Sequence, residues 1–221
     1  MKRLLAPLAL TLLLAACGSQ TVRFTVSYNT PDPLRRSELS AAIQRSIVGR
    51  MEAKKKKVVS QQLKNEDGKT VLTVSVSDAE AATLLKESLT GPFSMTIMKQ
   101  VDAGKGDIIS EKYGEFKETG MVTKHFDWVT AGTSMASGRE LGSVGLQFTD
   151  EGQSLLKDMF SHNRGSIIGV FVRGMLMSKK QIDATDKQTS IVIDGIPSGA
   201  LAAAFADDVN VGLHVTFAVA P

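Results

Sequence analysis

TVLTVSVSDAEAATLLKESLTGPFSMTI, residues 70–97, holds two strand patterns around one helix pattern. Leu72, Val74 and Val76 alternate with Thr73 and Ser75, which predicts a half-buried strand. Ser77-Asp78-Ala79-Glu80 reads as a capping box, in which Ser77 accepts from the Glu80 amide and Glu80 reaches back. Ala81, Leu84, Leu85 and Leu89 then fall on one helical face. Gly91-Pro92 ends the helix, and Phe93, Met95 and Ile97 alternate with Ser94 and Thr96 as the next strand.

Upstream, the same two periods recur. Residues 21–28 alternate, with Val22, Phe24, Val26 and Tyr28 on one face. Asn29 to Pro33 breaks that strand. A helix is predicted over 37–52, because Leu39, Ile43, Ile47 and Met51 repeat every four residues. Lys54 to Lys57 follows as a solvated helix end whose charge complements the dipole, with an anionic-lipid or partner patch as the alternative. Strands are expected at 58–63 and 70–76, with Asp67-Gly68 as the turn between them. The order is βαββαβ, that of a ferredoxin-like sandwich, with 93–101 as its fourth strand.

Downstream, Gly104-Lys105-Gly106 reads as a flexible joint, and 113–138 as short strands and loops. Val144, Leu146 and Phe148 share a strand face. Thr149-Asp150-Glu151 opens a helix with Leu155, Leu156, Met159 and Phe160 on its apolar stripe. Residues 167–172 and 190–193 read as strands. Pro197 opens an Ala-rich helix, and Val211, Leu213, Val215, Phe217 and Val219 alternate to the end, in a strand expected to be tied against the first module.

The run LGSVGLQFTDEGQSLLKDMFSHNRGSIIGVFVRGMLMSKKQI, residues 141–182, resembles the head of the first periplasmic domain of the protein-translocase subunit SecD. Phe148 and Gly152 match the family's Phe-x-x-x-Gly helix opening, 167–172 its apolar strand, and Gly174 and Ser178 its turn and following Ser. Residues 190–195 are similar to its Gln-Ile-x-Gly segment, and 200–219 to its Ala-rich helix and closing strand. The first module, with Arg45 and Arg50 on its helix, follows the family's base region in order. Arg173 stands where the family usually has Asp, and Lys179-Lys180 replace Ala-Pro. The resemblance implies an α+β fold: a ferredoxin-like base at 22–106, an inserted α+β head at 107–196, and a helix and strand at 197–221 that complete the base. It also implies a polypeptide-interacting head, with Met175, Met177 and Ser178 as binding candidates. The family's membrane helices, which couple to the proton gradient, have no counterpart in the pattern, so the chain alone is expected to be no motor.

Lys2 and Arg3 precede an apolar run at 4–16 that is too short to span a bilayer and fits a secretory signal. Leu14-Ala15-Ala16-Cys17 resembles the lipobox of bacterial lipoproteins. That resemblance implies cleavage between Ala16 and Cys17, acylation of Cys17, and a lipidated tether at 17–21. Removing the first 16 of 221 residues leaves 205, with 24 basic and 23 acidic side chains. Several acyl chains anchor more firmly than one. Gly18 in place of Asp directs the expectation to the outer membrane, facing the periplasm.

Composition narrows the chemistry. A 43% hydrophobic content excludes a disordered chain, and a net charge of +3 gives no footprint for nucleic acid. One Cys and three scattered His (His125, His162, His214) leave no metal-ligand spacing. Ser154-x-x-Lys157 matches a penicillin-binding nucleophile pattern without its partner motifs, so it reads as chance. His125 and Asp127 would share a strand face as surface polar residues. No catalytic constellation, cofactor or small-molecule substrate is indicated. The sequence therefore predicts a non-enzymatic, lipid-anchored envelope protein that binds extended or unfolded polypeptide. The alternative is an accessory lipoprotein that docks on another envelope complex and has no client.

Overall fold

The computed structural model describes residues 18–136, 138–183 and 190–220. The lipobox residues, Ala16 and Cys17 included, lie outside the described residues.

Strand β1 (Gln20–Tyr28) buries Val22, Phe24 and Val26, as its alternation predicts. Helix α1 (Pro33–Ala53) starts four residues earlier than its apolar stripe suggests. Asp32 accepts a hydrogen bond from the Leu34 amide, and Pro33 fits the first turn, so the apparent breaker is the start signal. The helix ends with the Lys56 amide donating to Met51 O (2.9 Å) and the Lys55 amide to Glu52 O (2.8 Å). In such an ending the residue after the cap is left-handed and usually glycine. Here it is Lys55, at φ 57°. Lys55→Gly is expected to stabilise the fold by about 1 kcal/mol, because only the lysine carries a Cβ penalty there. A thermal melt should show a rise of roughly 2–4 °C.

Strands β2 (Val58–Glu66) and β3 (Lys69–Val76) form the predicted hairpin. Asp67 and Gly68 turn it with φ 50° and 76°, both positive as a two-residue hairpin turn requires. Helix α2 (Ala79–Thr90) is capped by Asp78, which accepts from the Ala81 amide, rather than by Ser77. Ser77 Oγ donates instead to Asp78, and Glu80 accepts from Lys56 Nζ at 2.5 Å.

The remaining elements are β4 (Met95–Val101), β5 (Ile108–Ser110), β6 (Gly114–Val122), a 3-10 turn (Thr123–His125), β7 (Phe126–Ala136), β8 (Arg139–Phe148), α3 (Asp150–His162), β9 (Ile167–Val172), β10 (Met175–Gln181), β11 (Ile191–Ile196), α4 (Gly199–His214) and β12 (Val215–Val219). They build three antiparallel sheets, ordered β12-β1-β3-β2, β10-β9-β4-β6-β5 and β11-β8-β7. The α+β class holds. The fourth base strand differs from expectation: β4 pairs with β6 and β9, and β12 takes the outer place beside β1. Alternation in 93–97 reports a buried face, not which sheet supplies the neighbour.

Two further boundaries move with it. The base ends at α2, so the chain leaves it near Gly91 rather than at 104–106. Gly104 and Gly106 form a turn of the second sheet, where both amides donate to the Glu115 carboxylate at 2.8 Å. The segment 113–138 holds two long strands, β6 and β7, instead of short ones.

Helix α4 ties the parts together. Ala202, Ala206 and Val209 enter the core shared by α3, β4 and β8. Val211, just beyond, enters the base core with Phe24, Ile43 and Leu72. A third, smaller cluster of Met98, Phe116 and Phe171 lies among strands of the five-stranded sheet, with the rings of Phe116 and Phe171 edge-to-face at 5.1 Å.

Candidate functional site

Helix α1 and helix α4 pack together, and strand β7 lies on α4 beside them. Between them runs an open groove of about 670 Å³. Ser37, Glu38 and Ala41 of α1 form one wall, Trp128 to Ala131 of β7 the other, and Ala203, Ala206 and Asp207 of α4 contribute to the lining. Alanines on both helices keep the groove open; larger side chains there would fill it.

The groove is framed by polar contacts between base and head. Arg35 grips Asp127 with two parallel hydrogen bonds of 3.0 and 2.9 Å and lies 4.9 Å from the Trp128 ring centroid. That Arg35 hydrogen bond, reinforced by its charge, holds the Asp127 carboxyl below the usual carboxylate range. His214 Nε2 donates to Asp127 O, and burial pushes its pKa down against the opposing pull of that bond. Arg45 pairs with Asp207 at 2.6 Å.

Strand β7 is an edge strand. Asn210 closes part of that edge like a short strand: its Oδ1 accepts from the Val129 amide (2.8 Å) and its Nδ2 donates to Val129 O (2.7 Å). An antiparallel ladder alternates between paired and outward-facing residues. The register runs unbroken from Thr130↔Gly145 to Met135↔Glu140, so the outward groups recur at Ala131, Thr133 and Met135. None of their backbone groups has a partner among the described residues on that side. Residues 131–135 are exposed, carry no charge and no proline, and contain no bulge. Proteins usually blunt such an edge with exactly those devices.

The sequence candidates lie elsewhere. Met175, Met177 and Ser178 share β10, the edge of the five-stranded sheet. Met175 is 63% and Met177 46% exposed, which suits contact, while Ser178 is half-buried. A bulge falls between Leu176 and Ser178, and Lys179 and Lys180 follow, so this edge is blunted where β7 is not. Arg173 and Gly174 make the two-residue turn into β10, with φ 49° and 75°. Ser154 Oγ donates to Asp150 O on the exposed face of α3. His125 is a correction: it sits in the 3-10 turn, 3% exposed, and its Nδ1 accepts from the Val122 amide at 3.0 Å. Its Nε2 faces Glu151 Oε1 at 3.3 Å without hydrogen-bond alignment. Asp127 is not beside it on a shared surface but pairs with Arg35.

Sequence reasoning missed Asn210 and the β7 edge. A lone Asn amid the apolar positions of FADDVNVGL was the available signal, since a buried amide needs partners. A smaller cleft of about 250 Å³ opens beside Arg50, Arg173, Phe93 and Gly212. Among the described residues there is no group of acidic, His or Cys side chains that could hold a metal ion.

These features define an α+β module with an unpaired strand edge, among the described residues, beside an open groove. No family model matches the chain, and no curated protein matches it by sequence. Solved structures of SecDF do share its fold. SecDF in its super-membrane-facing form aligns with a TM-score of 0.50 at 13% identity, over 92% of this chain and 30% of that one. A structure described as a membrane component SecDF that enhances protein export aligns with a TM-score of 0.49 at 14% identity, over 91% of this chain and 98% of that one. The chain thus spans about 30% of the first of these, and the likeness to a SecD periplasmic domain is one of fold.

Proposed function

We propose that the chain is a lipid-anchored envelope protein whose SecD-like module holds extended polypeptide by strand addition to β7, without catalysis or motor activity of its own. The observation that carries this reading is the uncharged edge at Ala131, Thr133 and Met135, unpaired among the described residues and continuous with the groove at Val129–Ala131. An extended chain paired there satisfies its backbone against β7, and the neighbouring side chains meet the groove. Backbone pairing of this kind is tolerant of sequence, as a holder of unfolded segments requires.

Thr133→Pro removes one outward N–H from the edge, and Met135→Lys places a charge on it. Both are expected to weaken binding of a reduced, carboxymethylated polypeptide at least about tenfold, the equivalent of one or two net hydrogen bonds. Fluorescence anisotropy measures it, with thermal melts confirming the fold. Photo-crosslinking from Thr133 in cells should capture a heterogeneous set of chains. A single stoichiometric product there favours the docking alternative instead. Anchoring has its own readout: radiolabelled palmitate should enter the wild type and not Cys17→Ala.

A further inference from the structure

We infer that Lys54, Lys55 and Lys57 form a contact face for the phosphate headgroups of anionic phospholipid. The orientation it invokes rests on the anchoring reading at Cys17; the face itself does not. Gln20 pairs with Val76 across β1 and β3, and Val76 pairs with Val58 on β2. The Ser77 amide donates to Lys57 O at 3.1 Å. The start of β1, the end of β3 and the segment 54–57 therefore occupy one end of the base. Two residues, Gly18 and Ser19, separate Cys17 from Gln20, and those three backbone steps reach at most about 10 Å. A chain held through Cys17 keeps the start of β1 within about 10 Å of its anchor, a distance comparable to the Debye length of about 8 Å at physiological salt.

The charges at this end favour that surface. Lys56 is already engaged, by Glu80 at 2.5 Å and Asp78 at 3.5 Å. Lys54, Lys55 and Lys57 are exposed and make no ion pair among the described residues; Glu52 on the same helix and Glu87, which lines a cleft together with Lys54, are acids beside them. Lys55 also occupies a left-handed position at φ 57° where glycine would be unstrained. Strain kept at an exposed site points to a use for the side chain.

The test uses residues 18–221, which contain every described element, with no acyl chain to obscure the result. Co-sedimentation is measured with vesicles of phosphatidylcholine alone and with equimolar phosphatidylcholine and phosphatidylglycerol. The expected result is binding to the anionic vesicles only, falling with added salt. Lys54→Gln, Lys55→Gln and Lys57→Gln together should cost at least about tenfold in partitioning. Lys64→Gln with Lys69→Gln, on the hairpin at the opposite end of the sheet, should cost little. Equal binding to both vesicles, or an equal loss in the two sets of variants, overturns the proposal. Palmitate labelling of Cys17 is read separately. If labelling is absent while the lysine-dependent binding persists, the anchor fails and the lipid face stands; labelling without that binding does the reverse.

Discussion

Gly152→Ala is expected to destabilise the protein by about 2 kcal/mol, although the substitution improves helix propensity. Gly152 lies in the first turn of α3, where Thr149 caps it by accepting from the Gly152 amide at 3.2 Å. The Thr149 amide in turn donates to His125 O at 3.0 Å, which draws the start of the helix onto the 3-10 turn. A Cβ at Gly152 would land on that same His125 carbonyl oxygen, with His125 Cβ 3.1 Å away. Backbone cannot rotate aside as a flexible side chain can. Relief requires α3 to move off the turn, and α3 carries Leu156, Met159 and Phe160 into the core. Overpacking of this kind costs about 3 kcal/mol, and the propensity gain returns about 1. The melting temperature should fall by roughly 4–8 °C. Gly49→Ala is the control. Gly49 is exposed on α1 with nothing within 4 Å of a built Cβ, so the same substitution there should raise stability by about 1 kcal/mol. If both variants shift the melt in the same direction, the close approach at Gly152 is not what constrains it.

This glycine also shows how a sequence match acquires a physical meaning. Phe148 and Gly152 were recognisable as a pattern, but the reason for the glycine is a carbonyl 27 positions upstream, which no local period reports. Elements whose burial alternates on one side were legible: β1 through Phe24, β3 through Leu72, α1 through Ile43 and Ile47, and the hairpin at Asp67-Gly68. The partner of a strand was not. Met95 and Ile97 face the head core while Met98 enters the separate cluster with Phe116, so β4 is covered on both sides, and its alternation was read as a base strand. Strand β7 escaped for the opposite reason. Residues 131–135 are all exposed, so β7 there has no buried face for a period to mark. The same exposure makes its edge available, which is why the candidate site was the least readable part of the chain. Cationic Arg45 and Arg50 on α1 and the acids Asp207-Asp208 within an apolar helix were visible separately. Only the fold pairs them.

Removing the carboxylate of Asp208 is expected to cost about 3 kcal/mol, the low end for breaking a buried pair because Arg173 is a third exposed. Asp208 Oδ1 accepts from Arg50 Nε at 2.6 Å, and Oδ2 from Arg173 at 2.5 Å. Arg50 also donates to Ser88 O at 2.8 Å. One carboxylate thus joins α1 and α4 to the β9–β10 turn, and through Arg50 reaches the end of α2. Burial pushes the Arg50 guanidinium below its ordinary pKa, and Arg173 pushes the same way, while Asp208 opposes both. Asp208→Ala leaves two cations facing each other with that compensation gone. Asp208→Asn keeps the shape and tests the charge alone; both should melt about 6–12 °C lower than wild type near neutral pH. Acid provides the second test. Burial is the largest influence on Asp208 and pushes its pKa up, but Arg50 and Arg173 outweigh it and the net shift is downward. A carboxyl whose pKa is depressed by folding contributes its stability above the unfolded value, near 4, and loses it as pH falls through the folded value. Asp127, held down by Arg35, adds to the same loss. The wild type should therefore lose melting temperature below about pH 4, and its advantage over Asp208→Asn should shrink across that interval. An advantage that stays constant from neutral pH into strong acid would show that the variant acts through packing, and that the carboxylate does not hold the two arginines together.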